Sequence, residues 1–197
     1  MSAGTDTFAF TAENMAEAKK IMARYPEGRQ ASAVLPVLDL AQRQCAGWLP
    51  RATISAVAEL LDMAVIRVYE VATFYSMFNL EPVGRNLVQV CTTTPCWLCG
   101  SDEVVAAARK TLGIDLGETT EDGAFTLREL ECLGACVNAP MMQVNDDYFE
   151  DLDADSTTAI LETLKSGGTP KPGSQSGRQY SAPSSGPNTL TTVKGTD

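Results

Sequence analysis

Six cysteines and no histidine set the chemistry open to this chain of 197 residues. Cys91, Cys96 and Cys99 crowd into "CTTTPCWLC", Cys132 and Cys136 into "ECLGAC", and Cys45 stands alone. Without histidine there is no Cys2His2 or Cys3His zinc site, no Rieske centre, and no Ser-His or Cys-His catalytic device. Sulfur is therefore the group to weigh. A structural zinc takes four ligands, commonly as two pairs two to four residues apart, and C-x4-C with C-x3-C is wide for it. A two-iron cluster takes two thiolates on each iron, suits wider loops, and gains from backbone N–H groups turned toward sulfur. "CTTTPC" offers three hydroxyls and several free amides, and "CLGAC" places Gly134 where the backbone can approach closely. Spacing favours an iron–sulfur site over zinc, and either over plain buried or redox thiols.

Two ligand sets remain open within the iron–sulfur reading. Cys91-x4-Cys96-x2-Cys99 reproduces a plant-type [2Fe–2S] spacing, with Cys132 as the fourth ligand. That set leaves Cys136 idle beside Cys132. The second set, Cys91 and Cys96 with Cys132 and Cys136, uses two loops with two ligands each, both following a strand. Loop geometry favours the second.

The elements that must position these loops divide the chain. Residues 1–80 read as a helical bundle. "TAENMAEAKKIMARYP" starts at a Thr11 N-cap, and "ASAVLPVLDLAQRQC" carries Pro36 near its first turn. "LPRATISAVAELLDM" has Pro50 at its first position, and "AVIRVYEVATFYSMF" is more apolar than the rest. The apolar stripes of all four are expected to be core, with "TFYSMF" core or a subunit interface. Residues 85–166 read as a small α/β domain. "RNLVQVC" is a strand ending at Cys91, and "SDEVVAAARKTLG" a helix with Ser101 as N-cap and acidic residues in its first turn. "AFTLREL" is a strand, "MMQV-ND-DYFEDL" a hairpin about Asn145-Asp146, and "DSTTAILETLKSGG" a closing helix. The acidic run 150–155 is expected to be turn and capping surface, and Trp97 to shield Cys96 from water. Residues 167–197, rich in Gly, Pro and Ser, form an extended or disordered tail, or a partner-binding arm anchored by Tyr180 and Leu190.

The net charge is −10. The tail, with Lys171, Arg178 and Lys194 against Asp197, is basic, which leaves about −12 on the rest. No basic run suits a phosphate backbone, so nucleic-acid binding is not expected. No apolar stretch approaches the roughly 20 residues of a spanning helix. The N-terminal residues lack the basic and apolar regions of a secretory signal and the Arg-rich bias of a mitochondrial one. The expectation is a reducing cytoplasm, with cysteines as ligands or thiols. No G-x-G-x-x-G or P-loop marks a nucleotide site.

"VCTTTPCWL" followed by "ECLGACVNAPMMQVNDDYFEDL" resembles the NuoE family, the 24-kDa-type [2Fe–2S] subunit of respiratory complex I (NADH:quinone oxidoreductase). "YPEGRQASAVLPVLDLAQ", "GWLP" and "EVATFYSMFNLEPVGRN" resemble its helical segment. "PKPGSQSGRQYSAP" is similar to the extension of alphaproteobacterial and mitochondrial members. The resemblance implies an α+β protein: an N-terminal helical bundle, then a thioredoxin-like ferredoxin domain with an extended C-terminal tail. It implies one [2Fe–2S] cluster on Cys91, Cys96, Cys132 and Cys136, which makes Cys99 and Cys45 ordinary thiols. It further implies a redox subunit without a catalytic site, exchanging single electrons with a partner that carries FMN, a [4Fe–4S] cluster and the NADH site. That assembly would sit on the cytoplasmic face of the inner membrane. Rival readings are the diaphorase subunit of an NAD-dependent formate dehydrogenase or hydrogenase, and a zinc-stabilised interaction module.

Overall fold

The computed structural model describes residues 7–183, 185–186 and 188–189, so Leu190, Lys194 and Asp197 lie outside the described residues. The chain forms two compact units, Met1–Val83 and Gly84–Asp197. In the first, α1 (Ala12–Met22), α2 (Val34–Gln44), α3 (Arg51–Leu60) and α4 (Val65–Phe74) pack around Ala18, Val37, Leu38, Ile54, Val57 and Val68. Thr11 caps α1 as expected, its hydroxyl accepting from the Asn14 amide. A single 3₁₀ turn, Gln30–Ala33, precedes α2 and brings Pro36 into its first turn, where the missing N–H costs nothing. Pro50 sits one position outside α3, as its N-cap residue.

The stripe of α4 departs from expectation. Only Val68 and Ala72 are buried, while Val65, Ile66 and Phe74 are exposed, as are Tyr75 and Met77 just beyond. A ten-residue helix that is apolar on several sides can bury only the side that meets its neighbours, here α2 and α3.

The second unit is an α+β arrangement around a mixed sheet of order β2-β1-β3-β4-β5. Strand β1 (Asn86–Cys91) is followed by a short helix α5 (Thr94–Leu98) and α6 (Ser101–Leu112). This crossover returns the chain to β2 (Phe125–Leu130), parallel to β1, with Cys91 opposite Leu130. Strands β3 (Met141–Val144) and β4 (Asp147–Glu150) form the expected hairpin, and β3 runs antiparallel to β1. Asn145 takes φ +54° at the turn, a conformation its short side chain tolerates, and its amide group bonds Leu87 N–H and the Arg85 carbonyl. Helix α7 (Ala154–Lys165) packs beside α6, and β5 (Gly173–Ser174) adds to β4 in parallel.

Strand alternation sorts the second unit's side chains. Val88, Val90, Met142 and Val144 join the core of α6 and α7, whereas Cys91 and Met141 belong to a separate small cluster with Cys96. Two capping details explain the helices. Ser101, expected as N-cap of α6, lies inside the helix, because Gly100 at φ +98° makes the turn into it. Asp153 caps α7 in a reciprocal capping box with Ser156.

Candidate metal centre

The sheet order determines where the cysteines meet. Cys91 ends β1, and the paired end of β2 is Leu130, two residues before Cys132. Because β1 lies between β2 and β3, the connection from Leu130 to Met141 must pass over the end of β1, where Cys91 stands. Cys132 and Cys136 ride on that connection, and Cys96 returns on α5. Two loops distant in sequence are thus brought to one end of the sheet.

Four of the six thiols gather there as two pairs. Cys91 and Cys96 are buried and interact directly with each other. Cys132 and Cys136 are exposed, with sulfurs 3.3 Å apart. A thiolate at Cys91 would raise the thiols of both members of the outer pair. Cys99, at the far end of α5, is exposed, and Cys45 lies in the helical unit with its sulfur 3.3 Å from Thr53 Oγ1. Among the described residues, no three Cys, His, Asp or Glu side chains close on a single ion.

Each pair is electrostatically uneven. Burial pushes the Cys91 thiol up, but hydrogen bonds from Thr93, Leu133 and Cys96 together outweigh it and hold the group below its ordinary value. Burial pushes Cys96 up to about 12, reinforced by Cys91 beside it. In the outer pair, the Gly134 N–H, 3.4 Å from Cys132 Sγ, lowers Cys132. Cys132 in turn raises Cys136. Ionisation of one thiol in each pair disfavours ionisation of its neighbour, and a cation bound to both would offset that repulsion.

Local chemistry holds the loops. Thr93 Oγ1 lies 3.3 Å from Cys91 Sγ, and Thr92 Oγ1 donates to Glu129 at 2.6 Å, tying the first loop to β2. Gly134 sits at φ +84° with open space where a Cβ would stand, so glycine serves its backbone conformation and not a close approach. Tyr148 Oη donates to the Leu133 carbonyl at 2.8 Å from β4. Trp97 is 57% exposed, so the shield expected over Cys96 is partial at most. The acidic run 150–155 divides between the Asp153 cap and Asp151, which pairs with Arg178. Tyr148, Asp151 and Arg178 carried no sequence signal, since their partners lie far along the chain.

The residues fit a [2Fe–2S] cluster: the donors are all sulfur, arranged two and two, with a backbone amide and a hydroxyl directed at the sulfurs. Residues 18–165 match the family of thioredoxin-like [2Fe-2S] ferredoxins. Over 165 residues the chain is 53% identical to the E subunit of NADH-quinone oxidoreductase from Rickettsia bellii, spanning 84% of this chain and 99% of that relative. Over 183 residues it is 49% identical to NADH dehydrogenase (ubiquinone) flavoprotein 2, mitochondrial, of Dictyostelium discoideum, spanning 93% and 74% of the two. An NAD+-reducing [NiFe]-hydrogenase shares the fold at a TM-score of 0.59 and 19% identity, over 68% of this chain and 23% of that one. On these grounds the chain belongs to the thioredoxin-like [2Fe–2S] ferredoxins, within the NuoE family of NADH-quinone oxidoreductase subunits, and its cofactor is a [2Fe–2S] cluster.

Proposed function

We propose that Cys91, Cys96, Cys132 and Cys136 hold the cluster, and that the chain is an electron-transfer subunit of NADH:quinone oxidoreductase without a catalytic site of its own. The observation that carries the ligand set is the sheet order, which sends the β2–β3 connection over the end of β1 and brings the two thiol pairs together. When bound, the cluster supplies reversible one-electron transfer. The chain's residues do the rest. The buried pair anchors one side at the end of a strand, and the exposed pair leaves the other side open toward a partner. The Thr93 hydroxyl beside Cys91 and the Gly134 amide on Cys132 place hydrogen-bonding groups at sulfur, and donation to sulfur favours the more negatively charged state of a cluster.

In this reading, hydride chemistry belongs to a partner carrying FMN, a [4Fe–4S] cluster and the NADH site. The assembly lies on the cytoplasmic face of the inner membrane. Support comes from the similarity to NuoE proteins over 84% of the chain and from a sequence without a nucleotide-binding fingerprint. No helix among the described residues is long and apolar enough to cross a membrane. Tyr180, 86% exposed, is an available anchor for the tail on that partner.

The test is copurification. A tagged full-length chain expressed in its own cells should bring down a flavoprotein, and NADH should then elicit an S = 1/2 electron paramagnetic resonance signal. A colourless zinc-containing chain that captures no flavoprotein contradicts the reading.

A further inference from the structure

We propose that the segment following α7 is a clamp on the outer cysteine loop, with Arg178 as its positioning residue; this rests on Cys132 and Cys136 being ligands. Strand β5 joins β4 in parallel, pairing Gly173 with Phe149 and Ser174 with Glu150, and the Gln175 N–H extends the pairing to the Glu150 carbonyl at 2.9 Å. Glu150 stands opposite Met141 across the hairpin. The pairing therefore delivers the tail to the end of the sheet where the outer loop enters β3.

There Arg178 turns inward. Its side chain is 13% exposed and forms an ion pair with Asp151, which is 7% exposed. Nη1 donates to the Val137 carbonyl at 3.0 Å, on the residue directly after Cys136. The second carboxylate oxygen of Asp151 accepts from Ser174 Oγ at 2.6 Å and Ser176 Oγ at 3.3 Å, so the carboxylate is held by the tail on both sides. Asn138 is gripped as well. It is buried, and its Nδ2 donates to the Glu150 carboxylate and to the Tyr180 carbonyl, each at 2.8 Å.

The clamp answers a deficiency of the outer loop. Its only regular structure is one 3₁₀ turn, Cys136–Asn138, and its cysteines are exposed, so packing does little to fix them. Arginine suits the post because its planar fork serves a carboxylate and a carbonyl with separate N–H groups. A lysine ammonium can keep the charge beside Asp151 without that fixed two-point geometry.

The experiment uses the full-length, cluster-loaded protein and compares Arg178→Lys and Arg178→Ala with the parent. Melting is followed by circular dichroism, cluster loss by visible absorbance in excess chelator, and the electronic environment by resonance line shape and midpoint potential. Arg178→Lys should fold as the parent does, lose its cluster about tenfold faster, in the range that supporting residues command at metal sites, and show an altered line shape. Arg178→Ala should move the same readouts further; if it does not fold, the lysine variant decides. Parent-like loss rate, line shape and potential in the folded variants overturn the clamp. Cys136→Ala is run alongside: if it keeps the parent cluster, the ligand assignment fails, and if it loses the cluster while both arginine variants match the parent, the clamp alone fails.

Discussion

The inner and outer cysteine pairs are held by different means. Cys91 and Cys96 sit at the end of a strand and in a short helix, buried, and their supporting Thr93 lies between them in sequence. Cys132 and Cys136 sit on an exposed loop supported from afar, by Tyr148 on β4. One pair is anchored in regular structure and buried, and the other rides on an exposed loop. Both also take hydrogen bonds from chain returning from elsewhere, through Glu129 for the first loop and Tyr148 for the second, so what separates the pairs is burial and regular structure.

Substitutions test this contrast. The largest effect is expected at the inner pair. Cys96→Ala removes a buried donor at the end of the sheet, and the purified protein should contain no cluster by iron and sulfide analysis. Next is Gly84→Ala, which strikes the frame common to both pairs. A Cβ there would stand 2.6 Å from the Phe125 carbonyl carbon, against backbone that has no rotamer to yield. Overpacking of this kind should cost about 3 kcal/mol in urea unfolding, with both pairs affected alike.

Tyr148→Phe separates the pairs. Losing the bond to the Leu133 carbonyl should cost about 1 kcal/mol and hasten cluster loss in chelator. An unchanged loss rate would mean that the outer loop does not depend on β4. Asp153→Ala is the matching control, with a cost near that of a lost cap, about 1 kcal/mol at pH 7, and no change in cluster lifetime. Its pH dependence has a definite sign. The Ser156 hydroxyl and amide hold the Asp153 carboxyl below the usual carboxylate range. A lowered carboxylate stabilises the fold above its unfolded value of about 3.9, and that contribution fades as pH falls through the lower folded value. The difference between parent and Asp153→Ala in urea midpoint should therefore be full at pH 7 and shrink below about pH 4.

The same contrast explains what was legible in the sequence. Strand β1 ends at Cys91, helix α6 follows, and the hairpin turns at Asn145, all from local patterns of alternation, period and turn chemistry. That Cys91 and Cys96 would meet Cys132 and Cys136 at one end of the sheet was also readable, because loop geometry favours two loops with two thiols each; that these four hold the cluster is the proposal made above. Three features of the second unit were hidden. Helix α5 is five residues between two cysteines, too short for periodicity to register. The glycine turn at Gly100 displaced Ser101 from the cap that its residue type suggests. The tail's composition announces no core, and its two-residue strand and buried Arg178 arise from edge pairing and a carboxylate at Asp151 that only the folded sheet brings near. In the helical unit, an apolar α4 gave no sign of which sides would stay uncovered.

The proposal stands or falls on the two pairs, and not the run Cys91-Cys96-Cys99, holding the cluster. The most direct measurement is iron and sulfide content, with low-temperature resonance of the dithionite-reduced protein, on Cys136→Ala and Cys99→Ala side by side. With the two pairs as ligands, Cys99→Ala should keep about two irons and two sulfides per chain with the parent's S = 1/2 signal, while Cys136→Ala should lose both. An intact cluster in Cys136→Ala and a lost one in Cys99→Ala would contradict the proposal.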